Sequence, residues 1–115
     1  MRHPLFVAAF MLACTCLTNA QTCAENAREV MPVLSDAART EYTNKLAEAK
    51  AVFEAKPNEA DSFIWLGRRT AYLGDYKAAI KIFTEGIGKF PSDARFYRHR
   101  GHRQITLRCF DDAIT

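Results

Sequence analysis

The sequence predicts an all-α protein built from antiparallel helix pairs, and three observations predict it. From Ser35 onward apolar residues recur at the 3.6-residue spacing of one helix face. Pro57, Gly74 and Pro91 break that pattern into segments of ordinary helix length. The segments then resemble one another at a spacing of 34 residues, the mark of a stacked-helix array. No period-2 alternation or hairpin dipeptide competes with this reading. Within 115 residues, 49% hydrophobic and 25% charged content excludes disorder, and Gly 5 with Pro 4 excludes collagen-like and linker chains. A net charge of +3 is too small to argue for nucleic acid.

Residues 1–20 read as a signal peptide. Arg2 and His3 form a basic start, an uncharged apolar run follows from Leu5, and Thr18-Asn19-Ala20 offers a small-residue exit before Gln21. The apolar run falls short of the roughly 18–20 residues that span a bilayer, so no membrane span is expected. Met11-Leu12-Ala13-Cys14 approaches a lipoprotein cleavage motif, but Leu12 is too large for its place, so a lipid anchor at Cys14 is the lesser alternative. Either route exports the chain to the periplasm or the cell exterior. Cys14 and Cys16 would leave with the signal. Cys23 and Cys109 remain and could pair in an oxidising compartment. The alternative, which is favoured, leaves them unpaired, with Cys109 a small apolar filler between helices and Cys23 in a poorly ordered mature N-terminus over 21–34.

The helices follow in order. Ser35 is an N-cap, and Tyr42, Leu46, Ala49 and Phe53 form the apolar face of a leading helix within 35–59, ended by Pro57. Phe63, Leu66 and Thr70 stripe a second helix from about Asp61 to Leu73, closed by Gly74. Asp75 caps a third from Tyr76 to about Phe90, with Ala79, Ile80, Phe83 and Ile87 on one face, and Pro91 follows. Ser92 or Asp93 caps a fourth from Ala94 to about Leu107, and a fifth begins near Phe110. Positions 34 apart match: Pro57 and Pro91, Phe63 and Tyr97, Gly67 and Gly101, Tyr76 and Phe110, Ala79 and Ala113, Ile80 and Ile114.

Residues 60–91 resemble a tetratricopeptide repeat (TPR). The family asks for a large aromatic, Leu-Gly, an aromatic, then Ala, an aromatic, a small residue and Pro; this chain supplies Phe63, Leu66-Gly67, Thr70, Ala79, Phe83, Gly86 and Pro91. Thr70 departs from the usual aromatic, and Gly86 from the usual Ala, which should loosen the end of its helix. Tyr97, Arg100-Gly101, Phe110 and Ala113-Ile114 give a matching partial unit. The resemblance implies helix pairs stacked as a right-handed TPR-type α-solenoid, with a full unit over 60–93 and a truncated one over 94–115. Gly67 and Gly101 would mark close helix crossings, Ala79 and Ala113 the small facing residues, and Phe63, Phe83 and Tyr97 the filling between pairs. Because such arrays need about three units, the sequence is expected to be a fragment of a longer protein.

The chemistry is sparse. Gly86-Ile87-Gly88-Lys89-Phe90 lacks the first glycine and the Ser/Thr of a phosphate loop, and it closes a helix instead of opening one. His99 and His102 could share a metal at i,i+3, with Asp93 or Cys109 as a distant third donor, but no third ligand falls on their face, so neither metal nor cofactor is expected. Ser35, Ser62 and Ser92 lack a nucleophile context, and no enzyme is expected.

Charge is the remaining signal. Arg95, Arg98, Arg100, Arg103 and Arg108 crowd one stretch with His99 and His102 between them. By the family's geometry, first helices line a concave groove, which places Asp61, Ile64, Arg68, Ala71, Tyr72, Arg95, Arg98, His102, Ile105 and Thr106 along it. Arg68, Arg95, Arg98 and His102 would offer donors to carboxylates, and Ile64, Tyr72 and Ile105 an apolar floor. Chaperone-binding members of the family clamp a terminal carboxylate with Lys and Asn; Ile64, Arg68 and His99 stand in those places, so that role is not expected. The expected function is a non-catalytic scaffold binding a protein or peptide segment, acidic in character, with no nucleic-acid partner. The alternative is an accessory domain of a longer envelope-assembly factor or enzyme.

Overall fold

A computed structural model describes residues 22–114; the signal peptide expected over 1–20 and the lipid anchor weighed at Cys14 lie outside them. Six helices follow one another: α1 (Cys23–Asn26), α2 (Asp36–Ala55), α3 (Ala60–Tyr72), α4 (Tyr76–Lys89), α5 (Ala94–Thr106) and α6 (Phe110–Ala113). No strand occurs among the described residues, and no helix there is long and apolar enough to cross a membrane. Three starts are fixed by side chains that accept orphan backbone N–H groups. Ser35 Oγ accepts from the Ala38 N–H (3.2 Å), Asp75 Oδ1 from that of Ala78 (3.1 Å), and Asp93 Oδ1 from that of Arg95 (3.0 Å). Pro57 and Pro91 follow the closing residues of α2 and α4, where a helical backbone is disfavoured before proline.

Consecutive helices pack on one another from α2 to α6, and α3 also touches α5. Three residues join α3 to α4 and α5 to α6, so each pair must fold back on itself. Phe63, Ile64, Ala71, Ala79, Phe83 and Phe96 form the main core, with Phe53 and Phe90 packed against it. Phe63 sits at the centre of an aromatic cluster, edge-on to Phe53 at 4.7 Å and to Phe90 at 6.1 Å between ring centroids. Phe90 and Phe96 stack at 5.8 Å.

Two glycines let aromatic rings lie on helix backbone. A Cβ on Gly67 would stand 2.5 Å from Phe83 Cε1, and one on Gly86 would be driven into the Phe96 ring. Gly86 thus seats Phe96. At Gly101 an added Cβ would meet the Ala113 carbonyl oxygen at 3.3 Å. Tyr97, expected between helix pairs, lies at the surface of the described residues. It is 39% exposed and donates its hydroxyl to the Pro91 carbonyl (2.9 Å), while its neighbour Phe96 is fully buried. Leu66 is half-buried, and its carbonyl accepts from Thr70 Oγ1 (2.8 Å).

The backbone shows correspondences at the 34-residue spacing. Lys56 closes α2 at φ −136°, ψ 59°, and Phe90 closes α4 at −130°, 63°. Asp75 precedes α4 at −80°, 68°, and Cys109 precedes α6 at −90°, 67°. Gly74 and Arg108, in the equivalent turns, are the two described residues with positive φ, 93° and 62°. Helices α3 and α5 each have 13 residues.

Part of the segment before α2 packs on the helices. Ala24 of α1 is buried with Ile80, Leu107 and Cys109, and Lys77 Nζ donates to the Glu25 carbonyl (3.1 Å). The Thr22 N–H donates to Glu25 Oε2 (2.8 Å), closing the short helix on itself. Further on, Met31 and Pro32 cross the Gly74 turn. Cys23 and Cys109 are joined by a disulfide spanning 86 residues of sequence. This overturns the expectation that the two cysteines stay unpaired: Cys109 is buried as expected of a filler, but α1, packed against α4, brings Cys23 to it.

Candidate functional site

A cleft of about 190 Å³ opens between α3 and α5, with α4 beneath it. Helix α3 contributes Arg68, Ala71 and Tyr72; α5 contributes His99, His102 and Arg103; Phe83 of α4 reaches it from below. The helical spacing 68, 71, 72 and 99, 102, 103 puts each trio on one face of its helix. The Phe83 and His99 rings stack at 5.5 Å and 25°. Phe83, seated on Gly67, thus fixes the height of the His99 imidazole.

Arg68 is held in place from two sides. Its Nη2 donates to Tyr72 Oη (2.9 Å), and its guanidinium lies 4.4 Å from the centroid of the Trp65 ring. Tyr72 in turn meets Tyr42 of α2 at 5.7 Å between ring centroids. Arg69 approaches the same Trp65 ring at 4.9 Å, and Trp65 is 43% exposed. Arg103 lies 5.7 Å from the Tyr76 ring centroid. Among the described residues no ion pair engages Arg68, Arg98 or Arg103, and no carboxylate lines the cleft. The electrostatic consequence appears at His99. Burial, and then the charges of Arg98, Arg68, His102 and Arg103, push its pKa down to about 4.

The expected groove residues divide. Arg68, Tyr72 and His102 come together in the cleft, with Ala71. Arg98 is exposed and acts there through its charge on His99. Arg95 stands apart: its Nη1 donates to Asp61 Oδ1 and its Nη2 to Asp93 Oδ2, both at 2.7 Å. The hydrogen bond with Arg95 holds the Asp93 carboxyl below its usual range, and the two carboxylates raise Arg95 in return. Ile64 is 4% exposed and belongs to the core, and the half-exposed Ile105 does not line the cleft, so neither supplies its floor. Phe83 and His99 do. Thr106 Oγ1 donates to the His102 carbonyl (2.9 Å).

Sequence reasoning missed Trp65, His99 and Arg103 as lining or supporting groups. Trp65 carried a signal: it is the one tryptophan and lies three residues before Arg68, within reach on a helix. Among the described residues, the side chains that bring three metal-type donors within 4.8 Å of one another are Cys23, Cys109 and Asp112, and two of those donors are bonded to each other in the disulfide.

No protein-family model, curated protein or solved structure matches this chain.

Proposed function

We propose that the chain is a non-catalytic, exported scaffold of the tetratricopeptide type, which holds an acidic segment of a partner protein in the cleft between α3 and α5. One observation carries the reading. Cations from two helices converge on a single cleft without a carboxylate among its lining residues, beside an exposed Trp65 and a half-buried Tyr72. Arg, Trp and Tyr are the residues in which binding energy concentrates at protein interfaces. A surface with unmatched positive charge favours acidic partners, through faster encounter and through rejection of basic ones.

Two further observations support the architecture and the compartment. The turn dihedrals recurring 34 residues apart support a reading as repeated helix pairs, in which α3 and α5 are successive first helices. The disulfide suits an oxidising compartment, and so agrees with a signal peptide over 1–20.

The test is fluorescence anisotropy with labelled acidic, neutral and basic peptides of equal length, each carrying one aromatic anchor. The acidic peptide should bind best, and less tightly as salt rises. Arg68→Glu should weaken it by roughly tenfold, as expected for reversing a partly buried charge at an interface. Arg95→Glu should matter least, because Asp61 and Asp93 already engage that guanidinium. Equal binding of the three peptides would contradict the proposal.

A further inference from the structure

The cleft that would receive the acidic segment contains an imidazole in an unusual position. His99 lies flat against Phe83, half-buried. The charged groups that bear on it are Arg68 from α3 and Arg98, His102 and Arg103 from α5; from α4 it meets the aromatic ring of Phe83. With cations on two sides and no carboxylate among the cleft's lining residues, a proton on His99 is opposed from both helices. A bound carboxylate would reverse that field.

We propose that this cleft takes up a proton together with its ligand: a partner carboxylate entering between Arg68 and Arg103 converts His99 from a neutral stacked ring into a third donor, so acidic segments bind more tightly as the pH falls. The inference rests on the function proposed above and specifies how that site is regulated. Phe83 suits both states of the ring, since an aromatic face stabilises a cation placed over it.

The sign follows from linkage. Without ligand, burial and the surrounding cations hold the pKa of His99 at about 4. A carboxylate raises it, so the complex binds more protons than the free protein at intermediate pH. Affinity must then rise as the pH falls through the liganded pKa, and level off near the free value.

Sulfate is the first probe, because its charge is constant over this range and only the protein titrates. The His99 ring is followed by NMR from pH 8 to 3.5, in chloride and in sulfate at matched ionic strength. The midpoint should lie near 4 in chloride and about one unit or more higher in sulfate, equivalent to a tenfold change in sulfate affinity across the window. The shift should disappear in Arg68→Gln. A capped hexaglutamate is the second probe, with hexaglutamine as its control. Calorimetry at pH 5.5, in two buffers of different ionisation enthalpy, should show proton uptake in the parent and much less in His99→Gln.

An unchanged His99 midpoint in sulfate would overturn the inference, and that reading is made on the parent protein. Hexaglutamate bound equally at pH 7 and 5.5, by parent and His99→Gln alike, would overturn it while leaving the scaffold reading intact. Failure of hexaglutamate to bind at any pH would overturn both. A sulfate shift without hexaglutamate binding would overturn the assignment of the ligand to a partner carboxylate.

Discussion

Helices α3–α4 and α5–α6 share a turn geometry and differ in what holds it. In the first pair Phe63 is 1% exposed, Ala71 2% and Ile80 8%. The residues 34 further on, Tyr97, Ile105 and Ile114, are 39%, 51% and 87% exposed. The first pair is covered by α2 on one side and α5 on the other. Its turn uses Gly74, which adopts positive φ without penalty, and an aspartate cap whose carboxylate accepts an N–H. The second pair has Arg108 in the left-handed conformation and Cys109 at the cap position, without a side-chain capping bond. A disulfide joins this cap position to α1. The same turn geometry thus rests on a glycine and an aspartate cap in one region and on a covalent tie in the other.

The largest test of that contrast removes the tie. Replacing Cys23 and Cys109 together by Ser should cost about 4 kcal/mol, the loop-closure value for a link of this span, measured by denaturant unfolding. Amide exchange should quicken most in α1 and α5–α6, and least at the centre of α3. Uniform quickening would mean that the two regions are not held differently.

Next in size are the glycines under aromatic rings. Gly67→Leu and Gly86→Leu should each cost at least about 1–3 kcal/mol, the usual range for overpacking. A sharper version uses the 34-residue correspondence. Gly86 and Phe96 stand 34 residues after Val52 and Ser62, a small–large pair in place of a medium–small one. Gly86→Val and Phe96→Ser combined should therefore cost less than the sum of the two single changes, read as a coupling energy.

The smallest effects lie in the turns. Gly74→Ala should destabilise by about 1–2 kcal/mol, since the left-handed conformation penalises a side chain and the new Cβ would stand 2.5 Å from Pro32 Cδ. Arg108→Gly should change stability by less than about 1 kcal/mol, in the stabilising direction, because glycine relieves the same conformation at the cost of unfolded-state entropy. Thermal melts of both variants check the pair of signs.

The helices were legible because their ends carry local chemistry. Ser35, Asp75 and Asp93 cap, Pro57 and Pro91 stop, and the apolar spacing between them has one period. What faces what was less legible. Spacing places Arg95 and Arg98 on neighbouring faces, but it does not show that Asp61 and Asp93 hold Arg95. Phe63 and Tyr97 occupy equivalent positions, yet burial passes to Phe96 because Gly86 makes room for its ring. The disulfide was hidden for a different reason: 86 residues of separation say nothing about distance until the fold of α1 over α4 is known. In the cleft, Arg68, Tyr72 and His102 were visible as a helix face. His99 was not, because its role comes from a stacking partner on another helix.

The most direct test of the central claim is a map of where an acidic segment binds. Backbone amide spectra of the oxidised protein, titrated with the capped hexaglutamate, should change most at Arg68, Ala71, Tyr72, His99, His102 and Arg103, with smaller changes at Trp65 and Arg69. Changes centred on the exposed apolar residues Tyr97, Ile105 and Phe110, or spread evenly along the cations of α5 without involving α3, would contradict a cleft-binding scaffold.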